Sequence, residues 1–566
     1  MNYRKIAACS AAFLCCAAIG FFAMKQTGTQ KSLTFAYVGS EMQTARHRDS
    51  SSNIPSYLPE RRKQKIAARN PQISVPQTFQ NEPAPAQEIY AHRDNFKKFE
   101  PNPFKNVKQE PVSTFSLDVD TASYSFMRAS LNQNRLPRAD AVRIEEFVNY
   151  FPYDYPKPDN AAEPFKTTVS VLPSPWSDAR NVMHIGIKGY AISPDERPRA
   201  NLVFLIDTSG SMMSPNRLPL AQQALGMLVD TLDKNDTIAI ITYSGSAGIA
   251  LKPTPISQKG KIKRIINGLG AGGSTAGAQG LKTAYELAEE NFDPNGINRI
   301  ILASDGDFNV GMTNLEEMKT FITRKREKGI FLSVLGFGMG NYNDSMMQIL
   351  AQNGNGIAAY LDTLSEARKV LVQEATSSII PIAKDVKIQV EFNPATVEEY
   401  RLVGYEKRLL RQEDFNNDKV DAGDIGSGHT VTAIYEFVPR GGKASVDALR
   451  YQNHAEPETG NQSGSGNEYA IIKMRYKLPK SDSSILRETI VGKDHDYASF
   501  SQAPQEVRFA LAVASFAEKL RQDHYAGNLT LDDIITMALS AVGKDPFGYR
   551  TEFVQLVRAA KTAQEM

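Results

Sequence analysis

Leu202-Val203-Phe204-Leu205-Ile206 runs without a polar break into Asp207-Thr208-Ser209-Gly210-Ser211. An apolar run of this length is a strand buried on both faces, the kind found in parallel sheets covered by helices. The polar cluster then falls at the strand end, where open α/β sheets present their ligand-binding loops. The surrounding sequence keeps the same alternation. Ala221, Leu225, Leu228, Val229 and Leu232 make one helical stripe, and Leu281, Ala284, Tyr285, Ala288 and Phe292 make another. Strands are expected at 236–242, 299–304, 330–336 and 357–361. Thr313 and Glu316 suit a capping box for a helix that stops at Gly329, and 365–378 reads as a closing helix. The expected fold class is α/β, a doubly wound, mostly parallel sheet over residues 200–378.

Three separated pieces of this region carry oxygen donors: Asp207, Ser209 and Ser211; then Thr275, after Gly272-Gly273-Ser274; then Asp305-Gly306, after the strand at 299–304. Hydroxyls and two carboxylates, with no thiolate or imidazole, make a hard set that suits Mg²⁺ or Mn²⁺ better than Zn²⁺. Gly272, Gly273 and Gly306 permit close backbone approach beside these donors. Asp307 and Asn309 are expected on the rim.

The order Asp-x-Ser-x-Ser, a distant Thr and an Asp-Gly after a strand resembles the metal-ion-dependent adhesion site of von Willebrand factor type A (VWA) domains. The resemblance implies a Rossmann-like fold in which Ser209, Ser211 and Thr275 contact the metal, while Asp207 and Asp305 act directly or through water. It also implies binding of a partner protein, whose Asp or Glu completes the coordination. Upstream, Tyr124–Leu131, Arg143–Tyr150 and the run Asn149-Tyr150-Phe151-Pro152 are similar to the VWF-associated N-terminal domain of the bacterial YfbK-like group. The C-terminal end resembles the uncharacterised domain of the same group.

The chain has 566 residues, enough for several domains. Its 65 Lys and Arg against 63 Asp and Glu give a net charge of +2, and no basic run with interleaved aromatics marks a nucleic-acid partner. Cys9, Cys15 and Cys16 all fall in one N-terminal apolar stretch, 6–24, behind Arg4-Lys5, so the folded body uses no disulfides. Residues 1–25 read as a signal peptide or membrane anchor, which places the body in the bacterial cell envelope. Lipidation at Cys9 and cleavage near Ala18-x-Gly20 are both open alternatives. Residues 26–110, polar and punctuated by Pro71, Pro76, Pro83, Pro85, Pro101 and Pro103, read as a disordered spacer.

Residues 111–199 form the expected N-terminal domain. A β-rich part at 379–500 and a helical segment at 501–566 follow the VWA region. Alternating strands at 166–172 and 181–187 precede the VWA part, and others at 385–391, 430–437 and 469–476 follow it. We expect these flanks to pair into one β-sandwich with the VWA domain inserted. Phe509, Val513, Phe516 and Leu520 share a helical face, and Thr530 with Asp533 fits a helix start. Asp118, Asp120 and Ser123 read as turn and cap residues more than as a second oxygen site.

Motifs for a phosphate loop, a zinc protease and a serine hydrolase are all absent, and His184 reads as structural. The functional expectation is a non-enzymatic envelope protein that binds an acidic partner side chain through a metal. A metal-independent envelope scaffold is the alternative, and a metal-dependent hydrolase is a third.

Overall fold

The computed structural model describes residues 94–566 apart from 118–119, 276, 307–314, 375–379, 421 and 446–465. The apolar stretch 6–24 lies outside these residues; among the described ones, no helix is long and apolar enough to cross a membrane.

The central α/β part is a six-stranded sheet in the order Ala358–Leu361, Ile330–Phe337, Ile297–Ser304, Ala200–Asp207, Thr237–Tyr243 and Ala247–Pro255. All neighbours are parallel except the last pair, which is antiparallel. Every residue of Ala200–Asp207 is buried. Its alternate residues serve two cores: Leu202, Phe204 and Ile206 pack with helix Leu218–Thr231, while Val203 and Leu205 pack with helix Gly277–Glu290. That two-sided burial is why the strand reads as an uninterrupted apolar run rather than an alternating one.

The flanks form a β-sandwich. One sheet runs Lys105–Asn106, Val397–Val403, Thr430–Pro439, Asn181–Gly189, Phe165–Pro173. The other runs Ile425–Gly426, Pro381–Phe392, Glu468–Lys477, Ser484–Gly492, with Val112–Ser116 also paired to Pro381–Phe392. Met183, Ile185, Ile187, Ala433 and Tyr435 from the first sheet share a core with Ile388, Val390 and Ile472 from the second. The VWA part is therefore inserted between strands Asn181–Gly189 and Pro381–Phe392, which belong to different sheets.

The first sheet's other face is covered too. Leu172, Val182, Val403 and Ile434 pack with helices Ala122–Leu131, Ile144–Val148, Gln505–Arg521, Leu531–Leu539 and Tyr549–Glu565. Phe509, Val513, Phe516 and Leu520 lie in that core, and Thr530 and Asp533 form a reciprocal capping box. Buried ion pairs lock the insertion in place. Arg143 meets Asp344 at 2.9 and 3.0 Å, and Arg128 meets Asp362 at 2.8 Å and Glu366 at 2.7 Å.

Two expectations need correction. The spacer does not extend to 110: Phe96, Phe104 and Val107 are buried, and Lys105–Asn106 joins a sheet edge. Apolar anchors spaced between prolines and charges are enough to dock that segment without any periodic pattern. The closing helix is also irregular. It starts at Leu364, capped by the Thr363 hydroxyl, and passes at Lys369–Gln373 into a π-helical turn, while 375–378 lie outside the described residues. The capping box expected at Thr313 likewise falls outside them; the helix itself spans Leu315–Glu327.

Candidate metal centre

Asp207 ends the central strand, and Asp305 follows its parallel neighbour Ile297–Ser304, with Ile206 in register with Ala303. The two carboxylates are thus delivered to the same sheet edge by adjacent strands. Asp207 Oδ1 accepts from the Ser209 backbone N–H at 2.8 Å, which folds the chain back over the strand end. A single 3₁₀ turn, Gly210–Met213, then carries Ser211 around so that the hydroxyls of Ser209 and Ser211 stand 3.0 Å apart.

The second loop is pinned to the first by backbone bonds. Gly272 N–H donates to Thr208 O at 2.8 Å, and Gly210 N–H donates to Gly273 O at 3.0 Å. Gly273 has φ +84° and Gly306 φ +94°. At Gly306 a Cβ would stand 2.6 Å from the Asn343 nitrogen, so the loop after Asp305 packs on the 340s loop only as glycine.

Asp207 and Asp305 are both 0% exposed. Burial pushes the Asp207 carboxyl up to about 6; the Asp305 charge pushes it the same way, and hydrogen bonds from Ser209 and Tyr243 pull it down. Ser304 Oγ reaches Asp207 Oδ2 at 3.3 Å and accepts from Gly306 N–H at 3.2 Å. Arg217 holds Asp305: Nη1 lies 2.7 Å from Asp305 Oδ2 and 2.8 Å from Ser211 O, and Nη2 donates to Met339 O at 3.2 Å. Sequence reasoning missed Arg217 and Ser304. Arg217 lies between the first loop and its helix with no spacing signal, and Ser304 read as the last residue of a strand.

Asp207, Ser209, Ser211 and Asp305 are therefore gathered at one edge. Thr275 is half-buried on the loop tied to them, and its hydroxyl makes no hydrogen bond to the other four. Asp307 and Asn309 lie outside the described residues. The donor set fits a hard cation. Among the described residues no cation pairs with buried Asp207, whose hydrogen-bond partners are neutral, and a buried carboxylate calls for a positive charge. No group of three or more His, Cys, Asp or Glu is gathered among the described residues, so any metal here would depend on the hydroxyls.

The other candidates are committed elsewhere. Asp120 accepts from Ala358 N–H and Arg408, and Ser123 Oγ bridges Ala141 O and the Arg143 N–H. Asp118 lies outside the described residues. His184 is buried 3.0 Å from the Tyr155 hydroxyl, as expected of a structural histidine.

Residues 201–373 match the family model described as von Willebrand factor type A domain, and residues 90–184 match one described as von Willebrand factor. Residues 377–563 match the model described as uncharacterized protein YfbK, C-terminal. The chain is 46% identical over 471 residues to the protein YfbK of Escherichia coli K12, covering 82% of this chain and 80% of that one. It is 28% identical over 199 residues to human inter-alpha-trypsin inhibitor heavy chain H2, covering 33% of this chain and 20% of that one. Among solved structures, a von Willebrand factor type A protein from Catenulispora acidiphila covers 72% of this chain and 91% of its own, with 14% identity and a TM-score of 0.40. The chain belongs to the YfbK family of proteins built around a VWA domain.

Proposed function

We propose that this protein is a non-enzymatic binding protein of the bacterial cell envelope that captures an Asp or Glu of a partner protein through a divalent cation. Ser209, Ser211, Thr275, Asp207 and Asp305 hold the ion, which is Mg²⁺ or Mn²⁺ by the hardness of the donors. The bound cation supplies an open coordination position for the incoming carboxylate. The chain's own contribution is to fix the hydroxyls 3.0 Å apart, keep both carboxylates out of water, and supply neutral hydroxyls among the ligands. Neutral ligands offset less of the ion's charge, so more attraction remains for an acidic partner.

The observation that carries this reading is Asp207, fully buried without a cation and adjacent to two converging serine hydroxyls. The apolar stretch 6–24 is proposed to direct export and tether the body to the membrane. Calorimetry tests the metal step. Mg²⁺ or Mn²⁺ should bind with one-to-one stoichiometry, and Ser209→Ala should lose at least tenfold in affinity. Pull-down from envelope extract should then yield a partner that chelator releases and Ser209→Ala fails to retain. Partner binding that persists in excess chelator would instead support a metal-independent scaffold, and turnover abolished by Asp207→Ala would support a hydrolase.

A further inference from the structure

At the other end of the same sheet, a cleft of about 260 Å³ lies between the VWA part and the sandwich. Arg299, near the start of strand Ile297–Ser304, lines it together with Arg408, Gln352, Asn355, Asp424 and Ser116. Arg299 is only 5% exposed. Its Nη1 donates to Ser333 Oγ at 2.7 Å, and its guanidinium lies 5.4 Å from the centre of the Phe331 ring. Its Nε has no hydrogen-bond partner, and among the described residues Asp424 is the one carboxylate whose charge acts on it, without forming an ion pair.

This sets Arg299 apart from the other deeply buried arginines. Arg128, Arg143, Arg401 and Arg550 each meet at least one carboxylate at ion-pair distance. A buried guanidinium without an anion is costly, and a polar cleft beside it is where the anion would enter. Burial lowers the Arg299 pKa to about 10, with the charge of Asp424 opposing, as expected for an under-compensated cation. Arg408, also on the wall, is already engaged: it donates to Asp120 Oδ2 at 2.7 Å. With its amide turned, the Gln352 oxygen accepts from Arg408 at 2.9 and 3.2 Å. Asp424 limits the total negative charge that the cleft accepts.

We propose that this cleft is a second ligand site, separate from the metal centre, which binds a small oxyanion through Arg299. A single carboxylate is favoured over phosphate, because Asp424 repels a second negative charge. Acetate and inorganic phosphate are the two probes, titrated at constant ionic strength in the presence of chelator while thermal unfolding is followed. Wild type should show a saturable rise in Tm, larger for acetate, on top of the shift given by chloride. Arg299→Met should abolish the saturable part and unfold, without added anion, no lower than wild type. Gln352→Glu is nearly isosteric and places a carboxylate on the cleft wall; it should weaken acetate binding about tenfold while remaining folded. A response larger for phosphate would keep the oxyanion site and reverse the preference. The proposal is overturned if wild type shows no saturable response to either probe, or if Arg299→Met and Gln352→Glu respond as wild type does. Chelator removes the metal from this measurement, so the outcome is independent of the Ser209 test.

Discussion

Arg217 Nη1 stands 2.7 Å from Asp305 Oδ2, so an internal guanidinium already rests on one of the two carboxylates proposed to hold the metal. Arg217 is largely buried, with 14% of its side chain exposed, so solvent weakens the contact only in part. Its positive charge repels an incoming divalent cation, and its hydrogen bond withdraws one Asp305 oxygen.

Arg217→Ala is therefore expected to tighten Mg²⁺ or Mn²⁺ binding by about tenfold, roughly 1.4 kcal/mol. The metal-free variant should melt below wild type, because buried Asp305 loses the cation that rests on it. Calorimetry with and without metal reads both effects. Affinity that is unchanged or weaker would mean that the arginine supports the site rather than competing for it.

At Gly306, substitution tests how the Asp305 loop is built. With φ +94° and a prospective Cβ 2.6 Å from the Asn343 nitrogen, Gly306→Ala must both strain the backbone and push the two loops apart. A loss of about 2–3 kcal/mol in urea unfolding is expected. Metal affinity should fall with it, as Asp305 moves. A variant as stable as wild type would show that the loops do not pack in this way.

The insertion is held by buried charge, and Arg143 is one of the most enclosed cations at its boundary, 1% exposed between Glu146 and Asp344. Removing it strands two buried carboxylates. Arg143→Ala should cost about 3–5 kcal/mol. The double variant Arg143→Met with Asp344→Leu should recover much of that loss, a comparison readable by denaturant titration. Equal stability of the single variant and wild type would contradict the buried pairing.

His184 provides a pH test. Burial pulls its pKa down to about 4 from an ordinary 6.5, so between those values the folded state binds fewer protons than the unfolded chain. Stability from this residue is fully present above pH 6.5 and is lost as pH falls towards 4, by about 3 kcal/mol. Asp207, raised to about 6, acts in the opposite direction over much of the same range, so the total profile mixes both. The difference between wild type and His184→Gln isolates the histidine. It should shrink by about 3 kcal/mol from pH 7 to pH 4, and a constant difference would refute the assignment.

The VWA region was legible because its physics is local and periodic. Leu202–Ile206 had to be buried on both faces, and residues placed at the carboxyl end of such a strand had to reach the sheet edge. Alternation in the flanking strands was likewise enough to expect half-buried antiparallel strands, whose pairing into one sandwich around the insertion depends on contacts between distant segments. Phe96 and Phe104 were not legible as anchors, since a few apolar residues among prolines and charges carry no period. The π turn at Lys369–Gln373 lies beside tertiary contacts of Glu366 with Arg128 and of Lys369 with Tyr150, which no spacing rule encodes.

By itself, the sequence determined most of the strands and helices and the delivery of Asp207, Ser209, Ser211 and Asp305 to one sheet edge, because strand period, helix period and capping chemistry act over a few residues. Only the tertiary structure decided that Arg217 reaches 88 positions along the chain to Asp305, that Arg143 closes on Asp344, and that the Arg299 Nε is buried without a hydrogen-bond partner beside a cleft. Charge pairing between distant segments depends on how packed faces orient long side chains. That orientation is fixed by the whole core rather than by any neighbouring residue.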